Sequence, residues 1–411
     1  MIYFHCDYVE GGHPKILERM VQTNMEQLPG YSTDHYCDTA RQLIREACGR
    51  EDADVHFLVG GTQTNLIAIS SILRPYQGVI AAYDGHIACH ETGAIEATGH
   101  KVLPIPCNEG IITGQQVRDY YHSHFTDSMR EHTVQPGMVY VSFPTEMGTL
   151  YTKEELTDLS NACHECGIPL YIDGARLGYG LTSPKTDLTL KEIANLCDMF
   201  YIGGTKCGAL MGEALVILND KLKDGFRYII KQHGGLLAKG RLLGLQFETL
   251  FTDNLYFDIC KHAVEQAMQI RHAFEEKGVE MYTDSYTNQQ FVIIRDDWMH
   301  QLAENIPLKP GKNMMQITPL SVSAPAGQQR MKMLRHWFMI SQHCKQNIRW
   351  NKRHGLYHAF CLCKAQKSAS LKVFGGNLVK NTERHPFSTA NFLSKCKGKS
   401  LDRMGKLLYN S

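Results

Sequence analysis

The sequence predicts an α/β protein, a largely parallel sheet with helices on both faces, followed by a smaller α+β C-terminal domain. Three observations carry this. Short apolar runs alternate with helical segments in the order βαβα, and such an order needs crossover connections and therefore parallel neighbours. A long helical pattern from Arg241 to Lys277 is followed by two more runs, Val279–Tyr282 and Phe291–Ile294, that open a smaller unit. At 411 residues and 43% hydrophobic content, the chain has enough apolar surface for two cores.

In chain order, Pro14-Lys-Ile-Leu-Glu-Arg-Met-Val and Thr39-Ala-Arg-Gln-Leu-Ile-Arg-Glu-Ala-Cys show the three-to-four spacing of amphipathic helices. Between them Leu28-Pro-Gly-Tyr31-Ser-Thr-Asp reads as a turn. Strands follow at Val55–Val59, Val79–Tyr83, Met138–Phe143, Ile168–Ile172 and Met199–Ile202. Helices are expected from near Gln63, across Glu91-Thr-Gly-Ala-Ile, and over Lys153–Glu165 with Thr152 at its start. After Lys206 the chain returns in a further apolar strand ending at Ile217. The domain boundaries expected are 1–245 for the large domain, 246–305 for the start of the small one and 306–411 for a basic tail.

Composition excludes several classes. No leader pattern opens the chain and no run of eighteen apolar residues occurs, so secretion and membrane spanning are unsupported and the cytoplasm is expected. The 14 cysteines follow no repeating interval, which favours reduced thiols over a disulfide framework. The net charge of +1 hides a division: residues 306–411 hold 19 Lys and Arg against the acids Glu383 and Asp402, whereas 1–305 holds 24 basic against 40 acidic residues.

Four signals sit at strand ends, where an open α/β sheet collects its ligand. Gly60-Gly61-Thr62-Gln63-Thr64-Asn65, between a strand and a helix, offers glycine backbone, a helix N-terminus and a hydroxyl to a lone phosphate. It has neither the lysine of a P-loop nor dinucleotide spacing. Tyr83-Asp-Gly-His86 places an imidazole just past a strand, where it could stack on a flat cofactor. In Tyr171-Ile-Asp173-Gly-Ala-Arg176 a carboxylate leaves a buried strand end, where a cationic ring nitrogen is as good a partner as the nearby arginine. Lys206, on the glycine-bracketed turn Gly203-Gly-Thr-Lys-Cys-Gly208, is held where a desolvated amine can lose its proton and attack a carbonyl. Lysine, aspartate, phosphate turn and stacking histidine are together the parts that pyridoxal 5'-phosphate requires.

These residues resemble the threonine aldolase and β-eliminating lyase family of fold-type-I pyridoxal-phosphate enzymes. Asp7-Tyr-Val-Glu-Gly-Gly-His-Pro, Pro29-Gly-Tyr31, Gly60-Gly-Thr-Gln-Thr-Asn, Asp84-Gly-His86, Ile172-Asp-Gly-Ala-Arg176 and Gly204-Thr-Lys206 fall in family order, and the resemblance runs from about Asp7 through Asn305. The resemblance implies that Lys206 makes the Schiff base, Asp173 pairs with the pyridinium, His86 stacks on the ring or serves as base, and Gly61 and Thr62 hold the phosphate. It implies that Arg176 contacts the cofactor phenolate and the substrate carboxylate, that Thr145 lies near the cofactor, and that Tyr31 belongs to a site shared between subunits. A homo-oligomer, dimer or tetramer, follows from the last. Cys6 stands where a small polar residue is usual. The implied reaction is cleavage of L-threonine, L-allo-threonine or a similar β-hydroxy-α-amino acid to glycine and an aldehyde, with β-elimination on another amino acid as the alternative. No metal is required, and the expected partner is a small amino acid rather than a membrane or a nucleic acid.

The family's second carboxylate-binding arginine lies in a segment close to Arg-Phe-Cys-Thr-Ser-Trp-Ala, and no such segment appears. Ser321-Val-Ser-Ala-Pro-Ala-Gly-Gln328 permits it when read out of frame. The expectation is a frame slip between about Asn305 and Pro307 that leaves 306–411 out of frame and poorly structured, so that either cofactor binding survives with weak cleavage or the truncated small domain leaves a poorly folded, inactive product; DNA sequencing across that junction checks it. A basic arm for nucleic acid and a zinc site from Cys344, His358, Cys361 and Cys363 are the rival readings.

Overall fold

The structure, a computed structural model, describes residues 4–294, Trp298, 309–310 and 314–317. Seven strands form the main sheet: β1 Asp54–Leu58, β2 Gln77–Ala82, β3 Lys101–Ile105, β4 Gln135–Ser142, β5 Leu170–Asp173, β6 Met199–Gly203 and β7 Glu213–Ile217. Their spatial order is β1-β7-β6-β5-β4-β2-β3. All neighbours are parallel except β7, which runs antiparallel between β1 and β6. The reason is chain length, because residues 204–212 are too few to make a crossover and can only reverse direction.

The helices are α1 Pro14–Gln22, α2 His35–Cys48, α3 Gly61–Ile72, α4 His86–Cys89, α5 Gly114–Thr126, α6 Lys153–Cys166, α7 Leu177–Leu181, α8 Leu190–Leu196, α9 Phe226–Gln232, α10 Arg241–Phe251 and α11 Leu255–Glu275. Period-two alternation sends neighbouring strand residues to opposite faces, so Phe57, Ile80 and Val139 join one core while Leu58, Val79 and Met138 join the other. Both faces are covered, as parallel sheets require. A second sheet holds β8 Glu280–Met281, β9 Gln290–Ile293, β10 Lys309–Pro310 and β11 Met314–Ile317 in the order β10-β11-β9-β8. Pairing to β9 therefore continues past residue 306, where the charge division begins. The rest of the tail, with Ser321–Gln328 and the cysteines and histidine proposed for zinc, lies outside the described residues.

Three local readings change. The strand at Lys101–Ile105 was not anticipated; it holds Pro104 and sits at the sheet edge, where a missing N–H is tolerated. Glu91–Ile95 is not helical, because Thr92 and Gly93 adopt φ of 53° and 72°. The continuous helix expected over Arg241–Lys277 is broken at Asp253 and Asn254, with φ of 52° and 62°, a left-handed conformation that these two residue types tolerate.

The turn after β5 is fixed by close packing. A Cβ on Gly174 would lie 1.9 Å from the Tyr201 carbonyl oxygen on β6, and that backbone cannot give way. Gly174→Ala should therefore destabilise the fold by about 1–3 kcal/mol or more in urea unfolding, and an unchanged midpoint would show that β5 and β6 can separate freely here.

Candidate active site

The parallel strands bring the loops after β1, β2, β4, β5 and β6 to one edge of the sheet. There they enclose a cleft of about 240 Å³ lined by Gly61, Thr62, His86, Asp173, Arg176 and Lys206 among others. These six residues come from four strand ends, those of β1, β2, β5 and β6. Two other candidates lie elsewhere. Thr145 is buried, with its hydroxyl bonded to Thr149 at 2.5 Å and to the Glu109 carbonyl at 3.2 Å, and its neighbours Pro144 and Glu146 line the cleft instead. Tyr31 lies outside the lining, 45% exposed at φ 59°, with the Lys231 ammonium 4.7 Å from its ring.

Asp173 is the most elaborately held group. Its Oδ2 accepts from the Tyr140 hydroxyl at 2.6 Å and from the Asn65 amide at 3.0 Å, and its Oδ1 accepts from the Ala175 N–H at 3.0 Å. Burial alone would raise its pKa, but the His86 charge and the Tyr140 and Tyr201 hydroxyls outweigh that and keep it below the usual carboxylate value. Tyr140, Tyr171 and Tyr201 stand on one face of three adjacent strands, and burial followed by the Asp173 charge drives all three hydroxyls well above the ordinary tyrosine range. They remain donors at any working pH.

Behind this bed Asn65 couples two carboxylates, giving its amide to Glu91 at 2.7 Å as well as to Asp173 and accepting from the Tyr171 hydroxyl at 2.8 Å. Glu91 in turn binds His86 Nδ1 at 2.8 Å, which fixes the ring and leaves Nε2 as the other nitrogen. Burial depresses His86, yet the Glu91 hydrogen bond and the Asp173 charge hold it above its ordinary value. Its protonated form therefore stabilises the fold below a pH of about 6.5, and that contribution fades as the pH rises through the elevated pKa. Glu91→Gln should lower the His86 pKa in an imidazole NMR titration; an unmoved titration would assign the shift to Asp173 alone.

Arg176 gives its Nε and Nη2 to Asp7 at 2.7 and 3.1 Å, a bidentate pair to which the Asn288 amide adds at 3.0 Å. Burial works against both charges; the Arg176 cation holds Asp7 below the carboxylate range, and Asp7 holds Arg176 above the guanidinium range. Lys206 is half-buried on the β6–β7 turn, with its carbonyl bonded by the Tyr179 hydroxyl. Burial, then Arg176, push its amine down against the pull of Asp7, Asp173 and Glu213.

The residues fit pyridoxal phosphate. The N-cap of α3 is Gly60, whose lack of a side-chain cap leaves the first-turn N–H groups open to the cleft for a phosphate. A buried, donor-saturated carboxylate at Asp173 suits a cationic ring nitrogen, and Lys206 supplies an amine of lowered pKa. Sequence reasoning gave no role to Asn65, Glu91, Tyr140, Tyr171, Tyr201 or Glu213. Asn65 closes the Gly60–Asn65 motif, and its place on the buried side of α3 is the available signal; the tyrosines come from strands far apart in sequence and carry no local signal.

The comparisons agree with this geometry. The model for the Beta-eliminating lyase family matches residues 4–297. A low specificity L-threonine aldolase from Pseudomonas sp. (strain NCIMB 10558) is 31% identical over 295 residues, 70% of this chain and 83% of that protein. The solved threonine aldolase of Leishmania major is 45% identical, with a TM-score of 0.78 over 82% of this chain and all (100%) of the other. Cystalysin from Treponema denticola, whose structure contains pyridoxal 5'-phosphate, shares the fold at a TM-score of 0.60, with 14% identity, 83% of this chain and 92% of its own covered. A motif set in family order, a cleft lined by five of those six motifs and a family match across the described body agree: this chain belongs to the β-eliminating lyase family.

Proposed function

We propose that the protein is a pyridoxal-phosphate-dependent lyase that cleaves L-threonine, L-allo-threonine or a similar β-hydroxy-α-amino acid to glycine and an aldehyde. The observation that carries the reading is the convergence of Lys206, Asp173 and Arg176 on one cleft, supported by the threonine aldolases to which the chain is similar.

When bound, the cofactor supplies an electrophilic aldehyde and a protonated ring that withdraws electrons from a bond at the substrate α-carbon. The chain's own residues do the rest. Lys206 presents an amine whose ammonium form is disfavoured by burial and by Arg176, so a larger share is neutral and nucleophilic. Asp173 keeps a proton on the ring nitrogen by remaining an anion itself. Arg176, braced by Asp7, binds the substrate carboxylate and so sets which bond stands perpendicular to the ring. His86, with Nδ1 committed to Glu91, has Nε2 to accept the β-hydroxyl proton. Gly61 and Thr62 hold the phosphate, and Thr145 supports the adjoining loop.

We also infer a homo-oligomer, dimer or tetramer, acting in the cytoplasm. Val21, Met25, Tyr31 and Tyr228 are exposed large apolar side chains of the kind that a second copy would cover, and the described cysteines are all free thiols. No helix of the described residues is long and apolar enough to cross a membrane.

With cofactor added, L-threonine should give equimolar glycine and acetaldehyde, measured by coupled NADH oxidation. The rate should fall as pH drops through the raised His86 pKa, because the base must be neutral. Bound cofactor with no acetaldehyde, and pyruvate released from serine or cysteine instead, would assign the chain to a different β-eliminating reaction.

A further inference from the structure

Glu213 is a carboxylate that the reaction above does not use. It opens β7, is 4% exposed and lines the same cleft as Gly60, Gly61 and Thr62. Register puts it opposite Leu58 on β1 and Gly203 on β6, so it stands between the strand that leads into the phosphate turn and the strand that leads to Lys206. Its Oε2 accepts from the Gly204 N–H at 3.0 Å. An ionised carboxylate here would confront a phosphate dianion across a cleft of low dielectric, where like charges repel strongly.

We propose that Glu213 couples cofactor capture to proton uptake: its carboxyl is protonated when a phosphate monoester occupies the Gly60–Thr62 turn. This rests on the cofactor site assigned above. The surroundings agree. From β6 and the following turn Glu213 faces Tyr201 and Lys206, and from β5 Tyr171 and Asp173. On β1 the same face carries His56, which burial and three arginines push down to about 3 and so keep neutral, and α3 contributes no titratable side chain. Burial raises the carboxyl to about 7; Thr205, Lys206 and the Gly204 N–H only partly oppose this, and Asp173 adds to it. The free site is thus poised to take its proton near neutral pH.

The test uses pyridoxine 5'-phosphate, which carries the ring and phosphate but no aldehyde, so no Lys206 proton is released. Isothermal titration of the apo-protein in buffers of different ionisation enthalpy should show uptake of about one proton per site at pH 8 and almost none at pH 6. Affinity should fall about tenfold per pH unit above about 7, beyond the change expected from the phosphate's own ionisation. Glu213→Gln should remove that extra uptake and pH dependence, with pyridoxal phosphate still giving a visible absorbance band. Pyridoxine, lacking the phosphate, should show no such uptake in the wild type, an arm that needs no variant. Equal proton uptake by wild type and Glu213→Gln, or by pyridoxine and its phosphate, would overturn the proposal. No absorbance band with pyridoxal phosphate in the wild type would overturn the cofactor assignment instead.

Discussion

Lys206→Ala should abolish the visible absorbance of the bound cofactor and lower threonine cleavage by on the order of 10⁴-fold or more, the range in which loss of a covalent nucleophile falls. The amine is the only atom removed that can bond to the aldehyde, while the Gly60–Thr62 turn and Asp173 remain. The variant should therefore still bind cofactor, weakly and without covalent attachment, so borohydride treatment followed by dialysis leaves it colourless where the wild type keeps a reduced adduct on the 206 peptide. Stability should not suffer. The folded state depresses the Lys206 pKa, so the charged form is worse placed in the fold than in the unfolded chain, and deleting it removes a cost. A melting temperature well below wild type would mean that Lys206 is a structural cation, and retained activity would exclude it as the nucleophile.

Asp173→Asn should reduce turnover by about 10²–10³-fold, the usual effect of deleting one preorganised charge, with cofactor still attached to Lys206. Shape is conserved, but hydrogen bonding is not. Oδ2 now accepts from Tyr140 and Asn65 and Oδ1 from Ala175, so an amide NH₂ meets a donor in either orientation. At least one buried donor is left unsatisfied, the Ala175 N–H or else the Tyr140 and Asn65 pair, at about 1–3 kcal/mol of stability. The sign with pH follows from the depressed Asp173 pKa: the difference between wild type and variant is full above a pH of about 4 and shrinks as pH falls through the folded pKa. Wild-type turnover in the loaded variant would show that the ring proton is held by another group.

Much of the fold was legible because its signals are local. The strands β1, β2, β4, β5 and β6 are apolar runs, and α6, starting at Lys153, is N-capped by Thr152 through the Thr152–Glu155 capping box that its sequence advertises. The motifs at the strand ends were legible for the same reason, since glycines and a lysine on a turn are visible without partners. Readings failed where a residue could serve two conformations: Asp253 and Asn254 continue the apolar period yet turn left-handed, and Pro104 disguises an edge strand.

By itself the sequence determined the βαβα order, the turns that carry Gly61, His86, Asp173, Arg176 and Lys206, and the family they spell. Only the tertiary structure decided the pairing of Arg176 with Asp7 across 169 positions, the tyrosine bed beneath Asp173, the Asn65–Glu91–His86 chain of hydrogen bonds and the burial of Glu213 in the cleft that the Gly60–Thr62 turn lines. The physical reason is that a side chain's type is written locally, whereas its charge state depends on the water it loses and the partners it meets, and sheet pairing brings those together from distant parts of the chain.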